Sequence, residues 1–205
     1  GYMMELIKNY ISIIMSERFD DITARPDAPY FGASLGVGKL CATCEAVFGN
    51  VNFKEGDALN SFAAFMTEVE KMKRYGFTEG EVERAKAKII SHYEKAAEAA
   101  PTRKNADFVR PLLNAFYHNE SYMDPATELQ VAQAICSQIN AAMLNMIVKE
   151  MITAENMVVL YNGPEKEGLV NPTEAELAEI IATVKNAEIQ ANVEETINEP
   201  LISKE

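Results

Sequence analysis

The side chains best suited to chemistry in this sequence are the thiols of Cys41 and Cys44, which form a Cys-x-x-Cys pair. Such a pair serves either as half of a zinc-ribbon site or as a redox couple. A zinc ribbon needs further thiolate or imidazole ligands at similar spacing, whereas Cys136, His92 and His118 are each isolated. A thioredoxin-like couple lies where a helix follows a strand, whereas these cysteines lie inside an extended run. We therefore interpret both cysteines as small packed residues with a structural role.

Other patterns of catalytic residues are incomplete in this sequence. Helical metal ligands on one face need positions i and i+4, whereas His92 is followed by Glu94 at i+2. Gly36 and Gly38 precede Lys39 with the spacing of neither a phosphate-binding loop nor a dinucleotide fingerprint. The residues themselves therefore predict no catalytic site and no metal site.

Composition and charge exclude several classes of protein. With 205 residues, 48% of them hydrophobic and 24% charged, the chain has the composition of an ordinary globular protein. Its formal net charge of -12 opposes the phosphates of DNA and RNA, so we expect no nucleic-acid partner. Glu5, Lys8 and Asn9 interrupt the apolar stretch from Tyr2 to Ile14, so we expect no membrane segment. Helical spacing is already under way at Met3, so we expect the chain to be a piece of a longer protein.

The first half of the chain predicts helices around a β-hairpin. Residues 3–19 carry apolar side chains at three- and four-residue intervals, which is typical of an amphipathic helix. Residues 30–53 are rich in β-branched and aromatic residues and predict two strands joined near residues 39–42. Two further helices follow. Gly76 is expected to end the first, Thr78 and Glu81 to start the second as a capping box, and Pro101 to end the second.

The second half of the chain predicts shorter helices and one late strand. Residues 105–118 have helical spacing, with Pro111 expected to kink or restart the helix. Further helices are predicted to start at Asp124, Ser137 and Thr173. Residues 157–161 form a compact apolar run that predicts a strand. The elements together favour an α+β fold, in which several helices pack on one face of an antiparallel sheet.

Two ordered stretches of sequence carry a family pattern. The first runs from Glu17 to Tyr30 and contains E-R-F-D-D-I followed by R-P-D-A-P-Y. The second runs from Tyr75 to Lys86, where Y-G-F-T ends one helix and E-G-E-V-E-R-A-K opens the next. Both stretches resemble the pitrilysin/insulinase family of zinc metallopeptidases. The resemblance extends from about Leu6 to Leu201 and is closest to large bacterial members.

This resemblance implies a LuxS/mitochondrial-processing-peptidase-like metallohydrolase domain. Family members have two homologous halves of two domains each, which close like a clamshell around a chamber where peptides are cleaved. The zinc-binding H-x-x-E-H helix lies in the first domain, and this sequence lacks the motif. The resemblance therefore implies that residues 1–190 are the second, non-catalytic domain of the N-terminal half, with an acidic interdomain linker at residues 191–205. It also implies that the first strand or strands of the domain are missing, which leaves an open sheet edge.

The same resemblance assigns cofactor, partners and candidate site residues. It implies no catalytic residue, metal ligand or cofactor in this segment, and zinc in the parent protein. The partners are then the remaining domains of the parent and, through it, peptide substrates. Arg25 and Tyr30 occupy the place where the corresponding domain of the C-terminal half holds substrate with an arginine and a tyrosine. They are candidates for lining the substrate chamber, with a buried loop anchor as the alternative.

Three functions remain open from the sequence. The first is a chamber-wall domain of a zinc-dependent endopeptidase, located in the bacterial periplasm or cell envelope by family resemblance. The second is a degenerate, non-peptidase structural or docking subunit of the same family. The third is an independent acidic module that captures basic peptides through its net charge of -12.

Overall fold

The regular structure of the chain begins with a long helix, continues with a β-hairpin and ends in a series of helices. A computed structural model describes residues 1–41, 43–118, 122–153 and 156–193. In chain order the elements are α1 (Tyr2–Thr23), β1 (Tyr30–Cys41), β2 (Cys44–Phe53), α2 (Ala58–Tyr75), α3 (Glu79–Ala99), a 3₁₀ turn (Ala100–Thr102), α4 (Asn105–His118), α5 (Pro125–Cys136), α6 (Ala141–Met151) and α7 (Glu174–Asn186).

The β-hairpin forms where the sequence predicts it. β1 and β2 pair antiparallel, from Tyr30 opposite Phe53 to Cys41 opposite Cys44, so the chain reverses within the predicted joint. β1 packs against α1, and β2 packs against α2. An isolated two-stranded hairpin is marginally stable in water, so these helices supply the apolar surface that stabilises it. The α+β class with an antiparallel sheet is confirmed.

Among the described residues, one side of α1 contributes more buried apolar side chains to the core than any other element. Its buried apolar side chains are Leu6, Ile7, Tyr10, Ile11, Ile14, Met15 and Phe19. The Phe19 ring stacks on Phe65 of α2 with centroids 5.4 Å apart, and Tyr30 of β1 meets it edge-on at 6.4 Å. α1 therefore holds the hairpin and α2 together through aromatic contacts that add to the burial of apolar area.

A buried ion pair joins α1 to the start of α3. Arg18 donates from Nε to Glu81 Oε1 at 2.6 Å and from Nη2 to Glu81 Oε2 at 2.8 Å. Nη2 also donates to the Gly76 carbonyl at 2.8 Å. The Glu81 carboxylate accepts the Thr78 backbone N–H at 2.8 Å, and Thr78 Oγ1 accepts the Glu81 N–H at 3.2 Å, which confirms the predicted capping box. One carboxylate thus caps a helix and neutralises a buried cation.

Two predicted helix starts and ends differ from the structure. α1 continues past Phe19 to Thr23. The prediction that a helix starts at Ser137 is wrong, because Ser137 continues the last turn of α5 as its C-cap. α6 starts at Ala141 instead, where Asn140 has extended backbone and its side chain accepts the Met143 N–H at 2.9 Å. Asparagine at an extended position before a helix is a strong N-cap, and it determines the boundary here.

The prediction of a late strand at residues 157–161 is also wrong. Residues 157–161 pair with no other strand in the described part of the chain. A run of apolar residues becomes a strand when a neighbouring edge lies within hydrogen-bonding distance, and this run lies across a cleft from β2.

α4 runs through Pro111 without a restart. The predicted acidic linker falls mostly at residues 194–205, outside the described residues.

The helices of the structure can be compared with the length and composition that a membrane-spanning helix needs. Within the described residues, no single helix is both long enough and apolar enough to cross a bilayer. α5 and α6 reach the required length and composition as a pair, but they are bent by 92° relative to each other.

We predict that Arg18→Ala lowers the free energy of unfolding by about 3–5 kcal/mol, because it leaves the Glu81 carboxylate buried without its cation. Both residues of the pair are 6% exposed. The matched control is Lys86→Ala, which removes the ion pair to Glu83 on the exposed face of α3 and should cost less than about 0.5 kcal/mol. Urea unfolding of both variants measures the difference, and equal losses would contradict the central role of Arg18.

We also predict a specific loss of stability in acid. Burial by itself raises the pKa of Glu81, but the hydrogen bonds and charge of Arg18 outweigh burial, so its pKa lies below the usual value. A carboxyl with a depressed pKa stabilises the fold fully above its unfolded value of about 4.3 and loses this contribution as the pH falls through the folded value. The difference in unfolding free energy between the wild type and Glu81→Gln should therefore shrink between about pH 7 and about pH 3. A constant difference across this range would show that ionised Glu81 contributes nothing.

Candidate interaction cleft

A cleft of about 1140 Å³ separates β2 from the chain segment 156–162. Nearly every residue of β2 lines it, including neighbours whose side chains point to opposite faces of the hairpin. The outer hydrogen-bonding edge of β2 therefore faces the cleft. α2 contributes apolar side chains to the same space, namely Phe62, Phe65, Met66 and Val69.

The far wall of the cleft is an exposed apolar run. Val158 and Leu160 are 81% and 90% exposed, whereas the intervening Val159 is 37% exposed. Exposure that alternates from residue to residue is typical of extended backbone. Both sides of the cleft thus present unpaired, extended chain with apolar side chains, which is the condition in which a sheet edge accepts a further strand.

A ring stack joins the two sides of the cleft at one end, and hydrogen bonds within residues 161–171 hold the tyrosine of that stack in place. The Phe53 ring at the end of β2 stacks on Tyr161 with centroids 5.2 Å apart. Tyr161 Oη donates to Asn171 Oδ1 at 2.8 Å, and Asn171 Nδ2 donates to the Pro164 carbonyl at 3.3 Å. These contacts fix the position of residues 161–171 against the hairpin while residues 157–160 remain separated from it.

The C-terminal end of α7 is attached to α2 by polar contacts. The Arg74 guanidinium donates to the carbonyls of Ala187 at 2.7 Å, Lys185 at 2.8 Å and Val184 at 3.2 Å. These carbonyls lie at the end of a helix, where the backbone dipole favours a cation, and the Val184 carbonyl also accepts the Ala187 N–H. Tyr75 Oη also donates to the Ile189 carbonyl at 2.6 Å. Arg74 and Tyr75 therefore set the course of the chain beyond α7.

A second uncovered apolar surface lies on α4. Its exposed apolar side chains recur at helical spacing, and they are Val109, Leu112, Leu113, Phe116 and Tyr117. None of the α4 side chains that the structure describes is buried. We call this surface the α4 face. The spacing of these residues was visible in the sequence, but whether another element covers them depends on the tertiary fold.

The structure separates the two predicted site residues by burial. Arg25 is exposed, whereas Tyr30 is 1% exposed and packs in the aromatic cluster with Phe19. Burial, with a smaller effect of the Glu68 charge, raises the pKa of Tyr30 to about 12, and the charge of Arg25 partly opposes this rise. Tyr30 is therefore a neutral phenol held in the core, and its role with Arg25 in a substrate chamber stays a prediction.

The interpretation of Cys41 and Cys44 as packed residues is wrong, because both thiols are exposed at the end of the hairpin. The sequence placed them correctly in an extended run but could not show that this run projects into solvent. His92 is also exposed, and its ring meets Tyr93 edge-on at 5.7 Å. Among the described residues, no group of three or more histidine, cysteine, aspartate or glutamate side chains could hold a metal ion.

Comparisons with known proteins identify the fold. No protein-family model and no curated relative matches the sequence. Among solved structures, the chain is similar to the periplasmic protease PqqL from Escherichia coli, with a TM-score of 0.80 and 15% identity over 99% of this chain and 23% of that one. The first half of PqqL matches with a TM-score of 0.76 and 13% identity over 94% of this chain and 42% of that one.

A further solved structure points to the same group of proteins. A predicted insulinase family protease from Yersinia pestis matches with a TM-score of 0.62 and 14% identity, over 89% of this chain and 38% of that one. Like the PqqL structures, it is much longer than the segment that matches. The chain therefore has the α+β fold of a segment of the pitrilysin/insulinase-like proteases.

Proposed function

We propose that residues 1–190 form the second, non-catalytic domain of the N-terminal half of a zinc metalloendopeptidase, with an acidic interdomain linker at residues 191–205. The observation that carries this proposal is the match of 99% of this chain to 23% of PqqL. A share of that size is what one of four domains contributes. The match of 94% of this chain to the first half of PqqL supports the placement in the N-terminal half.

Two uncovered apolar surfaces support a role in interdomain packing. The wall of the cleft at residues 157–160 and the α4 face both expose large apolar side chains. Extended apolar patches on a folded protein mark surfaces that other protein covers. In a clamshell peptidase the remaining domains of the parent supply that cover, and this domain forms part of the chamber wall.

In this proposal the catalytic residues belong to another domain of the parent protein. Zinc bound in the parent's first domain would supply the activation of water for attack on a peptide bond. The described residues of this chain offer no ligand set for such a step, so their contribution is to hold a rigid surface against the peptide and the neighbouring domains. PqqL is a periplasmic protease, which supports a periplasmic or cell-envelope location for the parent.

We predict that the purified chain cleaves no peptide, because its sequence lacks H-x-x-E-H and its described residues offer no equivalent ligand set. The measurement is turnover of a quenched fluorescent peptide mixture with added Zn²⁺ and after chelation by EDTA. A zinc peptidase of known activity serves as the positive control under the same conditions. Turnover that depends on zinc and copurifies with this chain would refute the proposal.

The gene that encodes the parent protein distinguishes the proposed function from its main rival. H-x-x-E-H with a distal glutamate in the parent supports a working zinc peptidase. Its absence throughout the parent favours a degenerate structural or docking subunit of the same fold.

We predict that Val158→Asn with Leu160→Asn changes the free energy of unfolding by no more than about 0.5 kcal/mol, because both side chains already face solvent. The same double variant should weaken binding of this chain to the separately produced remainder of the parent, measured by titration calorimetry. Leu144→Ala is the contrasting control, since it empties a fully buried site and should cost about 2–5 kcal/mol. Unaltered binding of the double variant would remove residues 157–160 from the interdomain surface.

A further inference from the structure

The end of the hairpin brings two thiols together. Cys41 closes β1 and Cys44 opens β2, and the two are directly opposite partners in the antiparallel register. Both are free and exposed, whereas the third cysteine, Cys136, is 1% exposed in the core. The hairpin thus presents a pair of accessible thiols held at a fixed separation.

The separation suits a disulfide. Opposite residues of an antiparallel pair have Cα atoms about 4.5–5.5 Å apart. Disulfides span Cα separations of about 4.4–6.8 Å, so opposite strand partners such as Cys41 and Cys44 are within reach of a bond, here next to a register shift between Lys39 and Cys41. The Cys41 sulfur lies 3.7 Å from Thr43 Oγ1, and the Cys44 sulfur lies 3.6 Å from the Glu45 carbonyl.

The two thiols are not chemically equivalent. Hydrogen bonds from the backbone and side chain of Thr43, with further ones from Cys44, lower the pKa of the Cys41 thiol. A larger thiolate fraction and full access to solvent favour nucleophilic attack. Cys41 is therefore the attacking thiol, and Cys44 beside it is placed to resolve the product.

We propose that Cys41 and Cys44 are a reversible redox site that exchanges with disulfides of low-molecular-weight thiols such as glutathione. The Cys41 thiolate attacks one sulfur of the oxidised partner, forms a mixed disulfide and releases one partner thiolate. Cys44 then loses its proton to solvent and attacks the Cys41 sulfur, which forms the Cys41–Cys44 bond and releases the second partner thiolate. The protein loses two electrons and two protons, and the partner disulfide is reduced to two thiols.

Oxidation at this site acts on the cleft. Cys44 and its neighbour Glu45 line the cleft at the start of β2, and Glu45 pairs with Lys8 of α1 at 2.5 Å. A disulfide across the end of the hairpin links the last residue of β1 covalently to the first residue of β2. It therefore restrains the edge of β2 that faces the cleft.

The experiment incubates the purified chain with oxidised glutathione, then counts free thiols and maps the modified peptides by mass spectrometry. We expect loss of two of the three thiols, an intramolecular Cys41–Cys44 link, no retained glutathione, and Cys136 unmodified. Cys44→Ser should instead retain one glutathione on Cys41, because the resolving thiol is missing. The substitution is at an exposed position, and circular dichroism checks that the variant folds.

Two results would overturn the proposal. One is wild-type protein that keeps glutathione on both cysteines or forms disulfides between chains without the internal link. The other is wild-type protein whose Cys41 and Cys44 thiols stay reduced under conditions that oxidise a dithiol control peptide with the same C-A-T-C sequence. Because neither readout depends on peptidase activity, failure here leaves the proposed function untouched.

Discussion

The buried contact between the Arg18 guanidinium and the Glu81 carboxylate is the interaction on which the arrangement of helices depends. A buried charge is costly unless it is paired, so the contact favours one relative position of α1 and the start of α3, even though Arg18 Nη1 is buried without a hydrogen-bond partner. Arg18 also bonds the Gly76 carbonyl and lies over the Phe77 ring at 5.1 Å. The Asn145 side chain accepts the Phe77 N–H at 2.7 Å and donates to its carbonyl at 3.1 Å. The end of α2 and the middle of α6 are therefore held at the same junction.

The sequence predicted those features whose causes are local. The capping box of Thr78 and Glu81, the stop at Gly76 and the joint of the hairpin follow from residues within a few positions of one another. The missed features depend on distant partners. Residues 157–161 have the composition of a strand but no neighbouring edge, and Cys41 and Cys44 have small side chains but no layer above them. The Arg18–Glu81 pair spans 63 positions, and no short-range pattern indicates which buried cation a helix cap will meet.

The same fold that buries the core around α1 leaves two apolar surfaces exposed. A hairpin alone is a poor sheet, and here helices stabilise it while its outer edge faces a cleft of about 1140 Å³. The α4 face exposes apolar area on a helix that contributes no buried side chain among the described residues. A domain that folds around α1 yet leaves these surfaces uncovered is suited to a position among other domains. The solved proteases that share this fold are several times longer than the matching segment.

The contacts between α7 and α2 determine how readily α7 unfolds locally. Among the described residues of α7, Val184 is the one buried side chain, whereas Leu177, Ile180 and Ile181 are half-buried. Arg74 adds polar contacts to three carbonyls across 110 to 113 positions of sequence. Segments with little buried apolar surface open by local unfolding at low free energy. We therefore expect α7 to unfold locally at a lower free energy than the core around α1.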